Sequence, residues 1–101
     1  MSLEISVVRE PGKSVIQLVG RLDNDSAPAL QHVLIPEFDL APHVELDFEQ
    51  VGYVSSSGLR VMLLGAKTAK AKDREFTVVR VGPEVQSILK ITGFLYLLKV
   101  L

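Results

Sequence analysis

The spacing of apolar residues predicts five short β-strands. Residues 5–8 and 14–20 are β-favouring runs on either side of a Pro-Gly-Lys turn, so we expect them to form an antiparallel hairpin. In residues 44–48 apolar and acidic side chains alternate, which is the two-residue period of a strand with one buried face. Residues 76–81 and 97–101 are two further apolar runs of strand length.

Between the later strands, apolar residues recur at the three- and four-residue spacing of helices. The first predicted helix begins around Pro28, because a proline in the first turn loses no hydrogen bond, and it ends at or just before Pro36. The second follows Gly58. The third begins at Pro83 and ends just before Gly93, because glycine is favoured directly after a helix C-terminus. Its predicted apolar face comprises Val85, Ile88, Leu89 and either Ile91 or Thr92.

The order of these elements is ββαβαβαβ. Strands that alternate with helices require a mostly parallel sheet with right-handed crossovers, and the opening hairpin adds one antiparallel strand. A chain of 101 residues, 48% of them hydrophobic, has enough apolar surface for one core. The predicted fold class is therefore α/β, with a single domain over residues 1–101, a mixed, mostly parallel sheet and about three helices.

Composition excludes several classes of function. A net charge of -1 argues against nucleic acid or an anionic membrane as the main partner, since both require concentrated Lys and Arg. The chain has no cysteine and only two histidines, so we expect no metal site and no cofactor. It has neither an apolar run of membrane-spanning length nor the features of a signal peptide, which predicts a cytoplasmic protein without membrane insertion.

The most informative segment contains three consecutive serines, Ser55, Ser56 and Ser57, between the strand at 44–48 and the second helix. The start of a helix carries backbone N–H groups without intrahelical partners and the positive end of the helix dipole. Hydroxyl groups there act as N-caps or lie where an anion or a phosphoryl group is favoured. A purely structural interpretation, an N-cap, explains one of the three serines.

A hydrolytic function is not favoured by these serines. In a nucleophile elbow a glycine stands two residues before the nucleophile, but Val54 occupies that position relative to Ser56. A general base is also lacking, since His32 falls inside the first helix and His43 precedes its strand. Residues 65–68 (Gly-Ala-Lys-Thr) do not have the spacing of a phosphate-binding loop. The sequence therefore predicts a protein that is not an enzyme.

Five motifs occur in one order along nearly the whole chain. They are Gly-Arg-Leu-Asp at 20–23, Leu-Asp-Phe at 46–48 with Val51, Tyr-Val-Ser-Ser-Ser-Gly-Leu at 53–59, Gly-Pro-Glu-Val at 82–85 and Leu-Lys-Ile-Thr-Gly-Phe at 89–94. In sequence and spacing they resemble the STAS domain (sulfate transporter and anti-sigma factor antagonist). Within that family the chain resembles the free-standing bacterial anti-sigma factor antagonists.

The resemblance implies regulation by partner switching. The unphosphorylated antagonist binds an anti-sigma factor that is also a serine kinase, phosphorylation of one serine dissociates the complex, and a serine phosphatase resets it. That serine follows the family's aspartate, so the resemblance assigns phosphorylation to Ser56. The partner-binding residues that it implies are Asp23, Ser55, Ser57, Gly58 and Arg60, with Asp23 near Ser56.

Two residues depart from the family pattern. Ser55 stands where the family has aspartate, which removes a carboxylate beside the acceptor. Arg60 stands where many members have a small residue, so the surface beyond the serines is bulkier and positive. Ser55 favours a second function, a scaffold or accessory subunit that is not phosphorylated, for instance of an ABC-type lipid transporter or a signalling complex. The pair Ser56 and Ser57 favours the phosphorylated antagonist.

Structural interpretations stay open for several of these residues. Asp23 either contributes to the site or only orders a turn and caps the first helix. Gly58 either belongs to the site or lets the second helix pack closely on the sheet. Val61 and Leu64 lie off the main apolar stripe of the second helix, which comprises Leu59, Met62, Leu63, Ala66 and Ala69. They are either buried against the sheet edge or exposed as part of a partner-binding surface.

Overall fold

The computed structural model describes residues 3–101, and these form a sheet with helices between its parallel strands. The strands are β1 (Leu3–Glu10), β2 (Lys13–Leu22), β3 (His43–Val54), β4 (Glu75–Val79) and β5 (Lys99–Val100). The helices are α1 (Ala27–Glu37), α2 (Ser56–Ala71) and α3 (Pro83–Ile91), followed by a 3₁₀ turn over Phe94–Tyr96.

The five strands lie side by side in chain order. β1 and β2 are antiparallel, and the pairs β2–β3, β3–β4 and β4–β5 are parallel. The predicted hairpin, the mixed and mostly parallel sheet, and the order ββαβαβαβ are all confirmed. Helices that follow parallel strands begin at the carboxyl edge of the sheet, so α1 and α2 start close to each other.

β3 is much longer than the predicted strand at 44–48. The prediction stops early because the second half of β3 contains two bulges. Between Asp47 and Gln50, and again between Val51 and Val54, β3 advances by three residues where β2 advances by two. Each bulge turns an extra residue outward, so the buried residues after Phe48 recur every three positions. That period matches neither a regular strand nor a helix, which is why alternation alone misses the second half of β3.

α1 and α2 pack together over one face of the sheet, and a glycine allows their close approach. A Cβ atom on Gly65 of α2 would lie 2.9 Å from Leu34 of α1 and 3.1 Å from the Phe76 ring of β4. The Phe76 ring meets Phe38 edge-on, with 5.7 Å between the ring centres. These contacts fix α2 against α1 and the sheet, and so fix where its first turn lies.

Several predicted boundaries shift near the C-terminal end. β4 stops at Val79 instead of residue 81, because Arg80 has the left-handed φ of +56°. β5 contains only two of the residues predicted at 97–101. Ile91, one choice for the apolar face of α3, is 85% exposed because it lies two residues, or about 200° of helix rotation, beyond buried Leu89. The other choice, Thr92, is also exposed.

The end of α1 is tied to the opening hairpin by a buried carboxylate. The helix continues one residue past Pro36, which was predicted to close it, and that last residue is Glu37. Arg9 donates to both carboxylate oxygens of Glu37 at 3.0 Å, and the Ser14 hydroxyl donates to one of them at 2.9 Å. The hydrogen bond from Arg9 lowers the pKa of Glu37, an effect partly opposed by burial.

Candidate functional site

Ser55 connects β3 to α2 and is the N-cap of the helix. Its backbone is extended, with φ −84° and ψ 173°, and its Oγ accepts a hydrogen bond from the Gly58 N–H at 3.2 Å. Its own N–H donates to the Leu22 carbonyl at 2.8 Å, which ties the start of α2 to the end of β2. The N-cap interpretation is therefore confirmed for one of the three serines.

Ser56 is the first residue of α2 and its side chain is exposed. Its predicted position at the helix N-terminus is confirmed, although the strand that leads to it is the longer β3. The Ser56 hydroxyl makes no hydrogen bond to any group in residues 3–101, because Ser55 already caps the helix. Ser57, the next residue, is half-buried. The structure thus separates a serine that holds the helix start from one that faces solvent.

Gly58 lies in the first turn of α2, where the helix touches the sheet. A Cβ atom at this position would lie 2.7 Å from Cγ of Leu22 and 3.0 Å from Cγ1 of Val54. The close-packing interpretation of Gly58 therefore holds. Gly58 and Ser55 are both buried in the isolated domain, and their assignment as partner-binding residues stays a prediction. Both shape the helix start beneath the surface.

Asp23 orders the loop between β2 and α1. Its Oδ1 accepts hydrogen bonds from the backbone N–H groups of Asp25 and Ser26, each at 3.0 Å, and from the Ser26 hydroxyl at 3.1 Å. Its other carboxylate oxygen lies 3.9 Å from Nε of Arg21. The turn-ordering interpretation of Asp23 is confirmed by these contacts.

The Asp23 loop leaves the sheet at the same edge as the serines. Leu22 pairs with Val54 in the sheet, and its carbonyl accepts the Ser55 N–H. The residues that follow Leu22 and Val54 therefore leave the sheet at the same edge. Asp23 and Ser56 therefore lie at the same edge of the sheet, although they come from different elements, and their direct proximity stays a prediction.

Two residues of the first and third motifs make a contact at this edge that the sequence does not predict. The Arg21 guanidinium lies 4.3 Å from the centre of the Tyr53 ring, in cation–π geometry, and both side chains are exposed. Only the pairing of β2 with β3 places them together. They add a positive and an aromatic side chain to the surface of this edge.

An open groove runs between α1 and α2, beginning at the serines. Its first part has a volume of about 450 Å³ and includes Ser57 and Arg60, and an adjoining part of about 400 Å³ reaches Pro36. Of the two residues whose placement the sequence left open, Val61 is buried, whereas Leu64 is 37% exposed and lines both parts. The groove has no signature in the sequence, because it depends on how two helices pack.

Asp47, from the Leu-Asp-Phe motif, holds the first bulge of β3. Its buried carboxylate pairs with the guanidinium of Arg80 and accepts a hydrogen bond from the Glu49 N–H at 3.0 Å. The hydrogen bond from Arg80 is the main cause of the lowered pKa of Asp47. Asp47 thus pairs with a backbone N–H group and with an arginine, and its role is to fix the strand that leads to the serines.

The two histidines lie away from the serine edge. His32 is exposed on α1, and Nε2 of His43, at the opposite end of β3 from α2, lies 2.7 Å from the Thr77 hydroxyl. Within residues 3–101 no group of three or more His, Cys, Asp or Glu residues is arranged to bind a metal ion. None of the helices in this part of the chain has the length and apolarity needed to cross a membrane.

The family of the chain follows from a comparison of sequences. A family model described as "Mlab, STAS domain" matches residues 5–99. The chain belongs to the STAS domain family. This confirms the resemblance based on the five motifs, and the fold agrees with it.

The names of several relatives of this STAS domain describe regulatory proteins. BtrV of Bordetella bronchiseptica, a candidate anti-sigma factor antagonist, is 30% identical over 94 residues, which cover 92% of this chain and 81% of BtrV. The anti-sigma-B factor antagonist of Staphylococcus aureus is 27% identical over 94 residues, covering 92% and 87%. A crystal structure of an anti-sigma factor antagonist from Mycobacterium paratuberculosis superimposes with a TM-score of 0.83, at 27% identity, covering 98% and 85%.

Proposed function

We propose that this STAS domain is an anti-sigma factor antagonist, a cytoplasmic regulatory protein without catalytic activity. The names of its relatives support the class of function. The observation that carries the proposal is the placement of Ser56, exposed at the first position of α2 while its neighbour Ser55 forms the N-cap. A hydroxyl in that position is accessible to a kinase and can be modified without loss of the cap.

The proposed regulation is phosphorylation of Ser56 by the anti-sigma factor and its reversal by a serine phosphatase. A phosphoserine carries a charge of about -1.5 to -2 and three strong acceptor oxygens. At the N-terminus of α2, the helix dipole and backbone N–H groups favour such a charge by about 0.3–1 kcal/mol. The fold is therefore expected to persist. The effect falls on the interface, where a dianion must be desolvated against a surface that fits a neutral hydroxyl.

The test is to incubate the protein with its cognate anti-sigma factor and ATP and to map the phosphate by mass spectrometry. We expect one phosphate, on Ser56. Ser56→Ala should bind the anti-sigma factor and resist phosphorylation, whereas Ser56→Asp should fold normally and bind at least about 10-fold more weakly, a loss of about 1.4 kcal/mol. Ser57→Ala is the matched control, and it should still be phosphorylated. A phosphate on Ser57 would show that the acceptor is misassigned.

A second candidate function is a scaffold or accessory subunit that is not phosphorylated, for instance of an ABC-type lipid transporter or a signalling complex. The observation that favours it is Ser55, a neutral residue at the position of the family's aspartate. Ser55 keeps the N-cap that an aspartate would also form, but it leaves no carboxylate beside Ser56. If an anti-sigma factor with kinase activity binds the protein but leaves all three serines unmodified, the scaffold function replaces the switch.

A further inference from the structure

The groove between α1 and α2 has an apolar floor with a regular edge. On α2, four of the six residues that line it are spaced by three, four and three positions, so they share one face of the helix. They are Ser57, Arg60, Leu64 and Lys67, and the other two are Val61 and Leu63. On α1, the groove is lined by Ala27, Pro28 and Gln31. Together, the two parts of the groove run from the serines to Pro36, near the end of α1. A groove of this length suits an elongated occupant.

The charges of the groove have one sign. Arg60 and Lys67 are exposed on its α2 side, and none of the described residues that line either part is acidic. Neither cation forms an ion pair with any residue in 3–101, in contrast to the salt bridges of Arg9 and Lys72. Seven residues of helix, about 10.5 Å, separate the two cations. Carboxylates one heptad apart on a second helix have the same separation.

From this apolar floor and unpaired positive edge, we propose that the groove binds an acidic amphipathic helix of the partner protein. Apolar residues of that helix would pack on Leu64 and Pro28, and its carboxylates would pair with Arg60 and Lys67. Helices that bind in grooves present apolar residues at such spacings, and complementary charges set their orientation. The inference rests on the proposed function, because the helix is assigned to the anti-sigma factor.

The same geometry links the groove to the switch. Arg60 follows Ser56 by four residues, so the two side chains are neighbours on the surface of α2. A phosphate on Ser56 would pair with the Arg60 guanidinium and make the mouth of the groove negative. The phosphate would then compete with a partner carboxylate for Arg60 and repel the acidic helix. Arg60, which replaces a small residue of many family members, would thus contribute to release.

The first test uses a designed probe and needs neither kinase nor anti-sigma factor. The probe is an 18-residue helical peptide with leucines at i, i+3, i+4 and i+7 and glutamates flanking them, and its control carries lysines in place of the glutamates. In NMR titrations of the intact chain, we expect the acidic peptide alone to shift the amide signals of Gln31, Arg60 and Leu64. Equal binding of both peptides, or of neither, would overturn the groove proposal.

The second test measures the affinity of the anti-sigma factor for variants of the groove. Arg60→Gln and Lys67→Gln should each weaken binding by about 2–5-fold. Lys70→Gln is the matched control on the same helix, since Lys70 lies outside the groove, and it should bind like the wild type. A similar loss in all three variants would indicate long-range charge attraction and would overturn the groove contacts.

The link to the switch is tested by combining two substitutions. If the charge at position 56 acts through Arg60, Ser56→Asp should weaken the acidic peptide by a smaller factor in the Arg60→Gln background than in the wild type. Equal factors would overturn the link.

The outcomes for the groove and for the switch can be told apart. If the groove binds the peptide but no kinase phosphorylates the protein, only the proposed switch is refuted. Wild-type affinity for the anti-sigma factor in both glutamine variants would refute only the groove. If Arg60→Gln instead abolishes a dimer seen in sedimentation, the occupant is a second copy of this chain.

Discussion

The side chains of two polar clusters at opposite edges of the sheet have different roles. In the Glu37 cluster (Arg9, Ser14 and Glu37), Glu37 is only 4% exposed and both of its carboxylate oxygens accept hydrogen bonds. In the serine turn (residues 55–58), only the Ser55 side chain is engaged, and Ser56 faces solvent. A paired, buried polar group contributes to the fold, whereas an exposed hydroxyl adds little to stability and is available for modification.

The largest loss of stability is expected when Glu37, the centre of the Glu37 cluster, is replaced. Glu37→Ala leaves the buried Ser14 hydroxyl without its acceptor and breaks the tie between α1 and the hairpin. We expect a loss of about 2–3 kcal/mol in the free energy of unfolding at pH 7, measured by urea denaturation. Glu10→Ala, which removes an exposed glutamate from the end of β1, is the control and should change stability by less than about 0.5 kcal/mol.

The pH dependence of this loss identifies its cause. Hydrogen bonding to Arg9 lowers the pKa of Glu37 in the folded protein, so the ionised pair stabilises the fold above the ordinary glutamate pKa of about 4.3. That stabilisation is lost as the pH falls through the lowered folded value. The difference between wild type and Glu37→Ala should therefore shrink between pH 7 and pH 3. A difference that is independent of pH would mean that packing, not the ion pair, causes it.

Within the serine turn, Gly58 also stabilises the fold, through close packing. Gly58→Ala forces a Cβ atom against Leu22 and Val54, and overpacking of this kind costs about 1–3 kcal/mol, partly offset by the better helix propensity of alanine. We expect a net loss of about 1–2 kcal/mol in thermal or urea unfolding. Gly52→Ala is the matched control, because a Cβ atom there meets nothing within 4 Å. Equal losses in both variants would contradict the close approach of α2 to the sheet.

The two clusters also differ in how visible they are in the sequence. The serine turn has a local signal, three serines and a glycine between a strand and a helix, and the family motif covers it. Glu37 has no such signal, because its partners lie 28 and 23 residues away, in β1 and β2. Its position next to Pro36 in the sequence only indicates the end of a helix. Contacts between distant segments depend on a register that periodicity does not specify.

A similar division holds for the fold and the site. The hairpin, the element order and the starts of α1 and α3 follow from periodicity and from Pro signals, whereas α2 begins at Ser56, before the predicted start after Gly58. The second half of β3 does not, because its bulges replace the two-residue period by one of three. The groove and the contact of Arg21 with Tyr53 were also out of reach, since each depends on how separate elements pack.

Substitution of Ser55 should have an intermediate effect on the free energy of unfolding. Ser55→Ala removes the acceptor of the Gly58 N–H, and loss of an N-cap typically costs about 1 kcal/mol. Ser55→Asp should retain the stability of the wild type, because aspartate is an equally good N-cap, and it restores the residue of the family pattern. Urea denaturation of both variants gives the comparison. If Ser55→Asp is as unstable as Ser55→Ala, the geometry of this cap is specific to serine.

Ser56 should have the smallest effect on stability, which is the sharpest test of the contrast. Its hydroxyl is exposed and makes no hydrogen bond within residues 3–101, so Ser56→Ala should change the free energy of unfolding by less than about 0.5 kcal/mol. Ser56→Asp should be neutral or slightly stabilising, since a negative charge is favourable in the first turn of a helix. Urea denaturation at low and high salt measures both, and salt should reduce any gain from the aspartate. A loss of 1 kcal/mol or more in Ser56→Ala, comparable to that expected for Ser55→Ala, would show that both serines serve the fold. The division of roles within the turn, on which the proposed switch depends, would then be wrong.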